Sequence, residues 1–372
     1  MTTLFDPLRL ADIGELATRI VMAPLTRNRA APGNVPTALM AEYYAQRADP
    51  ASGAALIIGE ATQVSPEGRG YRDAPGIHSA AQVAGWRHVT RAVHARGARM
   101  VAQLWHVGRI SHFSLQPGGA PPLSSTARAA SRKAYTDEGL VMCSPPRALR
   151  DEELPAIVEQ YRQGALNAME AGFDGVEVHG ANGYLIDQFL RDSINDRTEG
   201  CYAGGFEGRS RLLVEVLQAV CAAVGGGRTG LRLSPANPLA GDAPDSQAQA
   251  LFEDALDRLA PLGLAYVHVI EGQTGGPRDA WPFDYAALRR HFAGAWMANN
   301  GYTVAMAEAV VAGGQASLVA FGKPFIANPD LAARLRRGAP LAAPDSKTYY
   351  VPGATPAAGY TDYPALEAVA QV

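Results

Sequence analysis

Along this chain, short runs in which nearly every position is apolar alternate with longer stretches in which apolar residues recur every three to four positions. The apolar runs are RIVMAP (19–24), ALIIGEA (55–61), MVAQLWH (100–106), GVEVHG (175–180), GLRLSP (230–235), AYVHVI (265–270), AWMANNG (295–301) and LVAFGK (318–323). Stretches of helical period lie at 37–48, 80–96, 151–171, 209–224, 246–260, 284–292, 303–312 and 327–337. The clearest is DEELPAIVEQYRQGALNAMEAG, where Asp151 is placed to cap a helix, Pro155 fits its first turn and Gly172 ends it. Strands that are apolar on both faces and alternate with helices predict a parallel sheet covered on both sides. Eight such units predict one (β/α)8 TIM barrel, a single domain over residues 1–372, rather than two domains.

A barrel of this kind takes about 250 residues, so a chain of 372 carries insertions. Most of the excess falls in extended loops at 107–150, after the third strand, and 181–208, after the fourth. Both follow strands and therefore lie at the end of the barrel where active sites are built. The Pro, Gly and Ser content of SLQPGGAPPLSSTARAASRKAY predicts a loop or small cap there. GGGRTG (225–230) has the spacing of a dinucleotide-binding fingerprint. It follows a helix and precedes a strand, the reverse of what pyrophosphate binding requires, and so reads as a helix stop and a loop.

Composition narrows the picture mainly by exclusion. With 47% hydrophobic and 19% charged residues and a formal net charge of -3, the chain offers no electrostatic case for nucleic acid or an anionic membrane. No run approaches the ~18 apolar residues of a membrane span. The start, MTTLFDPLRLADIGELATR, lacks the basic-then-apolar layout of a signal peptide. Cys143, Cys201 and Cys221 are far apart and odd in number, which suggests neither a disulfide framework nor a zinc site. A reducing, cytoplasmic location is expected.

Polar residues at the carboxyl ends of barrel strands are functional candidates. Here they are Thr26; Glu60, Ala61 and Thr62; Gln103, Trp105 and His106; His179 with Asn182 and Tyr184; Arg232; Asn299, Asn300 and Gly301; and Gly322 with Lys323. Neither a close carboxylate set for glycoside hydrolysis or magnesium nor a serine nucleophile elbow is present. Hydrogen-bond donors around a cation suit a planar, electron-accepting heterocycle. NNGYT and FGKPF each put a glycine before a helical segment, which fits a phosphate grip with Lys323 or two ordinary tight turns. His179 similarly reads as a satisfied strand-end residue or, with Asn182 and Tyr184, as part of a catalytic cluster. A metal-dependent hydrolase built on His106, His179 and His268 needs three converging ligands, and no carboxylate is evident to complete the site.

The segments RIVMAPLTRNRA (19–30), QLWHVGRISH (103–112), GFDGVEVHGANGYLIDQFL (172–190), FIANPDL (325–331) and GYTDYP (359–364) resemble the Old Yellow Enzyme family of flavin-dependent ene-reductases. Within it, the bacterial N-ethylmaleimide and xenobiotic reductases are the members resembled. The likeness runs in order from residue 4 to residue 366. It implies an FMN held without covalent attachment at the barrel mouth. Ala23, Pro24, Leu25 and Thr26 would lie along the isoalloxazine ring, with Thr26 donating to a ring carbonyl and Ala61 leaving room for it. Gln103 and Arg232 would face the pyrimidine edge, where a buried guanidinium stabilises the reduced anion; from its residue type alone, Arg232 reads as a salt bridge closing the barrel. Gly301, Gly322 and Lys323 would hold the phosphate.

The same resemblance gives His179 and Asn182, three apart in one turn, the role of donors to the carbonyl oxygen of an α,β-unsaturated substrate. Tyr184 would supply a proton to the α-carbon. Tyr71, Trp105 and Tyr350 would form pocket walls, with Trp281 as a further candidate. NADPH, with NADH possible, would reduce the flavin in the same pocket in a ping-pong cycle. Enones, maleimides or nitro compounds would be the small-molecule substrates, of which nitrate esters or nitroaromatics form the alternative physiological class. An iron–sulfur dienoyl reductase is disfavoured because no cysteine cluster exists, and a flavin binder without catalysis by the retained His179, Asn182 and Tyr184. A monomer or a homodimer is expected.

Two positions and one segment depart from the family pattern. Lys323 stands where many relatives carry arginine, offering a point charge in place of a fork. In YAGGFEGR (202–209), Gly208 replaces an asparagine, and YYVPGATPAAGYTDYP is longer than usual, leaving the role of Tyr350 open.

Overall fold

Eight parallel strands carry the architecture of the computed structural model, which describes residues 2–238 and 242–366. They are β1 (Ile20–Met22), β2 (Leu56–Ile58), β3 (Arg99–Trp105), β4 (Gly175–Gly180), β5 (Thr229–Leu233), β6 (Tyr266–Ile270), β7 (Ala295–Asn299) and β8 (Leu318–Phe321). Hydrogen-bonded neighbours run from β4 through β8 to β1, β2 and β3, and β3 pairs back with β4, closing the barrel. Each strand falls within the apolar run that predicts it, give or take a residue.

The helices pack outside: α1 (Ala38–Arg47), α2 (Ala80–His94), α3 (Leu154–Glu170) and α4 (Phe206–Val224) over the first half. Over the second half lie α5 (Ala248–Leu259), α6 (Tyr285–Arg290), α7 (Val304–Ala312) and α8 (Leu331–Arg337). Side chains alternate across each strand. Met22, Ile57, Met100, Val176, Leu231 and Val267 join the layer packed against the helices. Val21, Leu56, Val101, Tyr266, Met297 and Leu318 fill the barrel interior, closed at the amino-terminal end by a hairpin of Leu8–Leu10 and Gly14–Leu16. A Cβ at Gly230 would sit 2.2 Å from the Tyr266 ring, so glycine there makes room for the phenol. Higher up, inward positions turn polar (Gln103, Glu177, His179, Arg232, His268), and the functional layer begins there.

Two capping expectations resolve differently. Gly172 lies just past α3 with φ +87, as a helix stop requires. Asp151 does not cap α3: it begins a 3-10 turn, Asp151–Glu153, and its carboxylate takes the Arg197 guanidinium and the Cys201 N–H. It thereby ties the loop after β4 to the start of α3. GGGRTG is the end of α4, a 3-10 turn and the start of β5.

After β3 the chain builds a small cap from an antiparallel hairpin, Lys133–Thr136 with Gly139–Met142, and a parallel pair, Leu123–Ser124 with Arg147–Ala148. After β4 comes a short helix, Leu185–Leu190, locked by the fully buried ion pair Asp187–Arg191 at 2.9 Å. Gly208 has a packing reason, since a Cβ there would fall 1.9 Å from the Ala203 carbonyl oxygen. Near the carboxyl end, a strap at 346–360 returns to the barrel mouth. Arg27 donates to the carbonyls of Thr348, Tyr349 and Gly359, and Arg29 to those of Thr348, Tyr349 and Val351. Tyr360 stacks on Tyr43 with centroids 4.1 Å apart.

Candidate active site

A cleft of about 520 Å³ opens at the carboxyl ends of the strands. It is lined by Ala23, Pro24, Leu25, Thr26, Ala61, Tyr71, Gln103, His179, Asn182, Tyr184, Arg232, Gly301, Gly322, Lys323 and Tyr350. Residues from seven strand ends and the carboxyl-terminal strap thus meet in one concavity. Trp105 is the exception among the expected wall residues. It is fully buried one layer behind, with its ring 5.6 Å from Tyr71 and 5.0 Å edge-on to Tyr184, so it supports two wall phenols without lining the cleft. Trp281 is 45% exposed and lies outside the lining.

The floor is a charge-balanced network. β3 and β4 set Gln103 beside Glu177, and Gln103 Nε2 donates to Glu177 Oε1 at 2.7 Å. His268 Nδ1 lies 2.9 Å from Glu177 Oε2. Burial alone would raise the Glu177 carboxyl, but His268, Arg232 and Gln103 together hold it below its usual range. Arg232, on β5 beside His179, donates to Asn299 Oδ1 at 3.0 Å. Its Nε is buried with no protein partner. Arg232 therefore makes a hydrogen bond to a neutral amide in place of the salt bridge its residue type suggests, and keeps donor capacity at the cleft.

His179 ends β4 almost fully buried. Ala181 N–H donates to its Nδ1 at 3.3 Å, which assigns the ring proton to Nε2. Burial first, then the positive charge of Arg232, pushes its pKa well below the usual value and keeps the ring neutral. Asn182 is not on a helical turn, as the three-residue spacing suggests; it sits in a loop at φ +61, with its N–H on Ser234 Oγ at 2.8 Å. Asparagine tolerates this left-handed conformation better than most residues. Tyr184 holds the N-cap position of Leu185–Leu190 in extended backbone, its ring 5.1 Å from that of His179. Loop geometry, not a helix face, brings the three together.

At the other end, Asn300 and Gly301 have φ of +102 and +66, and no atom lies within 4 Å of where a Gly301 Cβ would be. Lys323 Nζ reaches to 3.7 Å from the Cβ position of Gly275 and makes no ion pair among the described residues. An uncommitted cation and open glycine backbone lining one cleft fit a phosphate, and the buried donors of Arg232 fit a polar heterocycle edge. The residues present therefore suit a flavin mononucleotide. Among the described residues, no three His, Cys, Asp or Glu side chains come together to hold a metal ion, and no helix is long and apolar enough to cross a membrane.

Several lining residues escape a motif search. Thr274, Gly275 and Gly276 line the cleft from the loop after β6. Their only sequence signal is position, directly after a strand end. Arg27 and Tyr349 line it through the strap contacts. Arg132, on the cap, lies 6.0 Å from the Tyr184 ring, and the Tyr184 and Tyr71 phenols raise its pKa. It falls in an insertion without periodicity, so no pattern marks it.

Comparison with known proteins agrees with this geometry. Residues 3–342 match the model of the NADH:flavin oxidoreductase / NADH oxidase family. The chain is 43% identical to 12-oxophytodienoate reductase 1 of Oryza sativa subsp. japonica, over 98% of this chain and 94% of that one. It is 41% identical to 12-oxophytodienoate reductase 2 of Arabidopsis thaliana, over 95% and 94%. Among solved structures, morphinone reductase in complex with tetrahydroNAD superposes with a TM-score of 0.90 at 43% identity, covering 98% of both chains. The Old Yellow Enzyme homologue from Zymomonas mobilis gives 0.89 at 42% identity, covering 98% of this chain and 99% of that one. With the family model spanning most of its length and relatives above 40% identity along nearly all of it, this chain belongs to the NADH:flavin oxidoreductase family, among the Old Yellow Enzyme homologues.

Proposed function

We propose that the protein is an FMN-dependent, NAD(P)H-consuming ene-reductase acting on α,β-unsaturated carbonyl compounds, with the whole chain forming one FMN-binding unit. The observation that carries this reading is the convergence of His179 Nε2–H, Asn182 and Tyr184 in one cleft with Arg232, Gln103 and Lys323. Bound there, FMN supplies a two-electron carrier that accepts hydride from a reduced nicotinamide and passes it to an electron-poor carbon. Thr26, Gln103 and Arg232 hold its ring, the buried guanidinium favouring a negatively charged partner in a dry site. Gly301, Gly322 and Lys323 hold its phosphate.

His179 and Asn182 donate to the substrate carbonyl oxygen. Their contribution grows as negative charge develops on that oxygen, so they lower the barrier and do not merely tighten binding. A neutral His179 suits this role, because it donates without adding a second cation beside Arg232. Tyr184 delivers a proton to the α-carbon. Tyr71 and Tyr350 close the walls, and Trp105 acts from behind Tyr71 and Tyr184. Donor and acceptor use the same cleft in turn, which requires ping-pong kinetics. Both NADPH and NADH fit this scheme, and the solved complex of morphinone reductase with tetrahydroNAD supports a nicotinamide at this site.

The test is steady-state turnover of 2-cyclohexenone with NADPH and with NADH. Parallel lines in double-reciprocal plots and formation of cyclohexanone support the reading; intersecting lines remove the shared cleft. Consumption of a nitrate ester or nitroaromatic with no cyclohexanone moves the assignment to that substrate class.

A further inference from the structure

The loop after β6 contacts the proposed carbonyl-binding pair in a way that fixes one amide. Thr274 N–H, a group that can only donate, reaches Asn237 Oδ1 at 3.2 Å. Asn237 must therefore turn its NH2 the other way, where it donates to Thr274 Oγ1 at 2.7 Å and Asn182 Oδ1 at 3.2 Å. Having accepted from Asn237, the Thr274 hydroxyl gives its own proton to Asn182 Oδ1 at 2.7 Å. The Asn182 carbonyl oxygen thus receives two hydrogen bonds, and its Nδ2 is the end left for the cleft. A backbone N–H decides the orientation of both amides in series, which removes the ambiguity that amide ends otherwise carry.

The supports are rigid. Asn182 N–H is held by Ser234. Arg191, buried against Asp187, donates to the carbonyls of Asn237 and Ser234. The Thr274 loop is pinned on its far side, where Gly275 N–H donates to Asn300 Oδ1 at 3.1 Å.

We propose that Thr274 and Asn237 are positioning residues that lock Asn182 with its NH2 toward the cleft, making it an obligate donor to the substrate carbonyl oxygen. This rests on the ene-reductase reading above. Without the lock, Asn182 can present its own oxygen, which repels the carbonyl it should stabilise.

The test uses the FMN-loaded enzyme with Thr274→Val, Thr274→Ser and Asn182→Ala, and Thr274→Val combined with Asn182→Ala. Thr274→Val should lower kcat/KM for 2-cyclohexenone by roughly 10- to 100-fold, short of the 100- to 1,000-fold that a deleted oriented donor costs. Thr274→Ser, which keeps the hydroxyl, should restore most of it. In the Asn182→Ala background Thr274→Val should add nothing, because the two act as one unit. Affinity for a phenol taken up as its phenolate, whose oxygen can only accept hydrogen bonds, should fall in parallel. Wild-type kinetics and phenol affinity in Thr274→Val, or an equal loss with Asn182 absent, would overturn the proposal. A wild-type enzyme that turns over no enone would instead sink the reading beneath it, and phenol affinity would still decide the orientation of the amide.

Discussion

Ala181 donates its N–H to Nδ1 of His179, and that one hydrogen bond decides which ring nitrogen faces a substrate. The ring's basicity matters as much as its tautomer. Its pKa lies well below the ordinary value of 6.5, so protonation comes only at lower pH and the neutral donor persists through the mildly acidic range. The pH profile of kcat/KM for an enone should accordingly show no step from His179 near 6.5. A fall centred there that persists in Glu60→Gln, which removes a buried carboxyl held near 7, would mean that the ring is exposed or beyond the reach of the Arg232 charge. Tyr184 has a separable role. Tyr184→Phe keeps the ring that packs on Trp105 and His179 and removes only the proton. Enone turnover should drop by about 100- to 10,000-fold, the span of general acid catalysis, while bleaching by NADPH is retained. Equal loss in both half-reactions would assign Tyr184 to architecture alone.

Among the elements, what is legible in the sequence is what repeats. Eight apolar runs at strand spacing place β1 to β8, and the ends of those strands place Thr26, Gln103, His179, Arg232 and Lys323 before any contact is known. The cap hairpin at 133–142 escapes because a small exposed hairpin has one apolar face or none, and its residues alternate too weakly to stand out from loop composition. Asn182 is legible as a neighbour of His179 but not in its conformation: the spacing suggests a helical turn, and the structure has a left-handed loop residue tied to Ser234. Trp105 lies behind the cleft because strand alternation says which face a side chain takes, not how deep it lies. The strap is likewise invisible. Arg27 and Arg29 follow the first strand with no periodic signal to mark their partners, and both are buried on backbone carbonyls more than three hundred residues away. Arg27→Met should cost about 2–3 kcal/mol, the value of charge-assisted hydrogen bonds lost. Proteolysis at 346–360 should become easier and KM for the enone should rise, since Tyr349 and Tyr350 ride on the strap. A variant with unchanged KM and unchanged protease resistance would show that the strap is held without Arg27.

At the scale of the whole molecule, the barrel keeps imidazoles neutral in its upper layers, and this couples folding to pH. Burial pushes His106 down from 6.5 to about 3, with Gly108 N–H donating to its Nδ1 at 3.1 Å. The unfolded chain takes up a proton at His106 below pH 6.5 and the folded chain does not, so stability falls as pH drops through that value. The slope approaches about 1.4 kcal/mol per pH unit from His106 alone, and the lowered His179 and His268 act in the same direction. Glu60, raised by burial from 4.5 to about 7, binds its proton in the folded chain first and opposes one of these imidazoles over that window. Urea midpoints should therefore decline below 6.5 less steeply than the imidazoles alone would give. A midpoint that rises on acidification in Glu60→Gln would contradict the burial of these rings. The central claim, that one cleft passes electrons from a nicotinamide through FMN to an activated alkene, is tested most directly by an anaerobic titration of the purified protein. NADPH should bleach the flavin absorbance, and 2-cyclohexenone added next should restore it as cyclohexanone forms. A colourless protein that does not take up added FMN, or a bleached one that no enone reoxidises, would contradict the account.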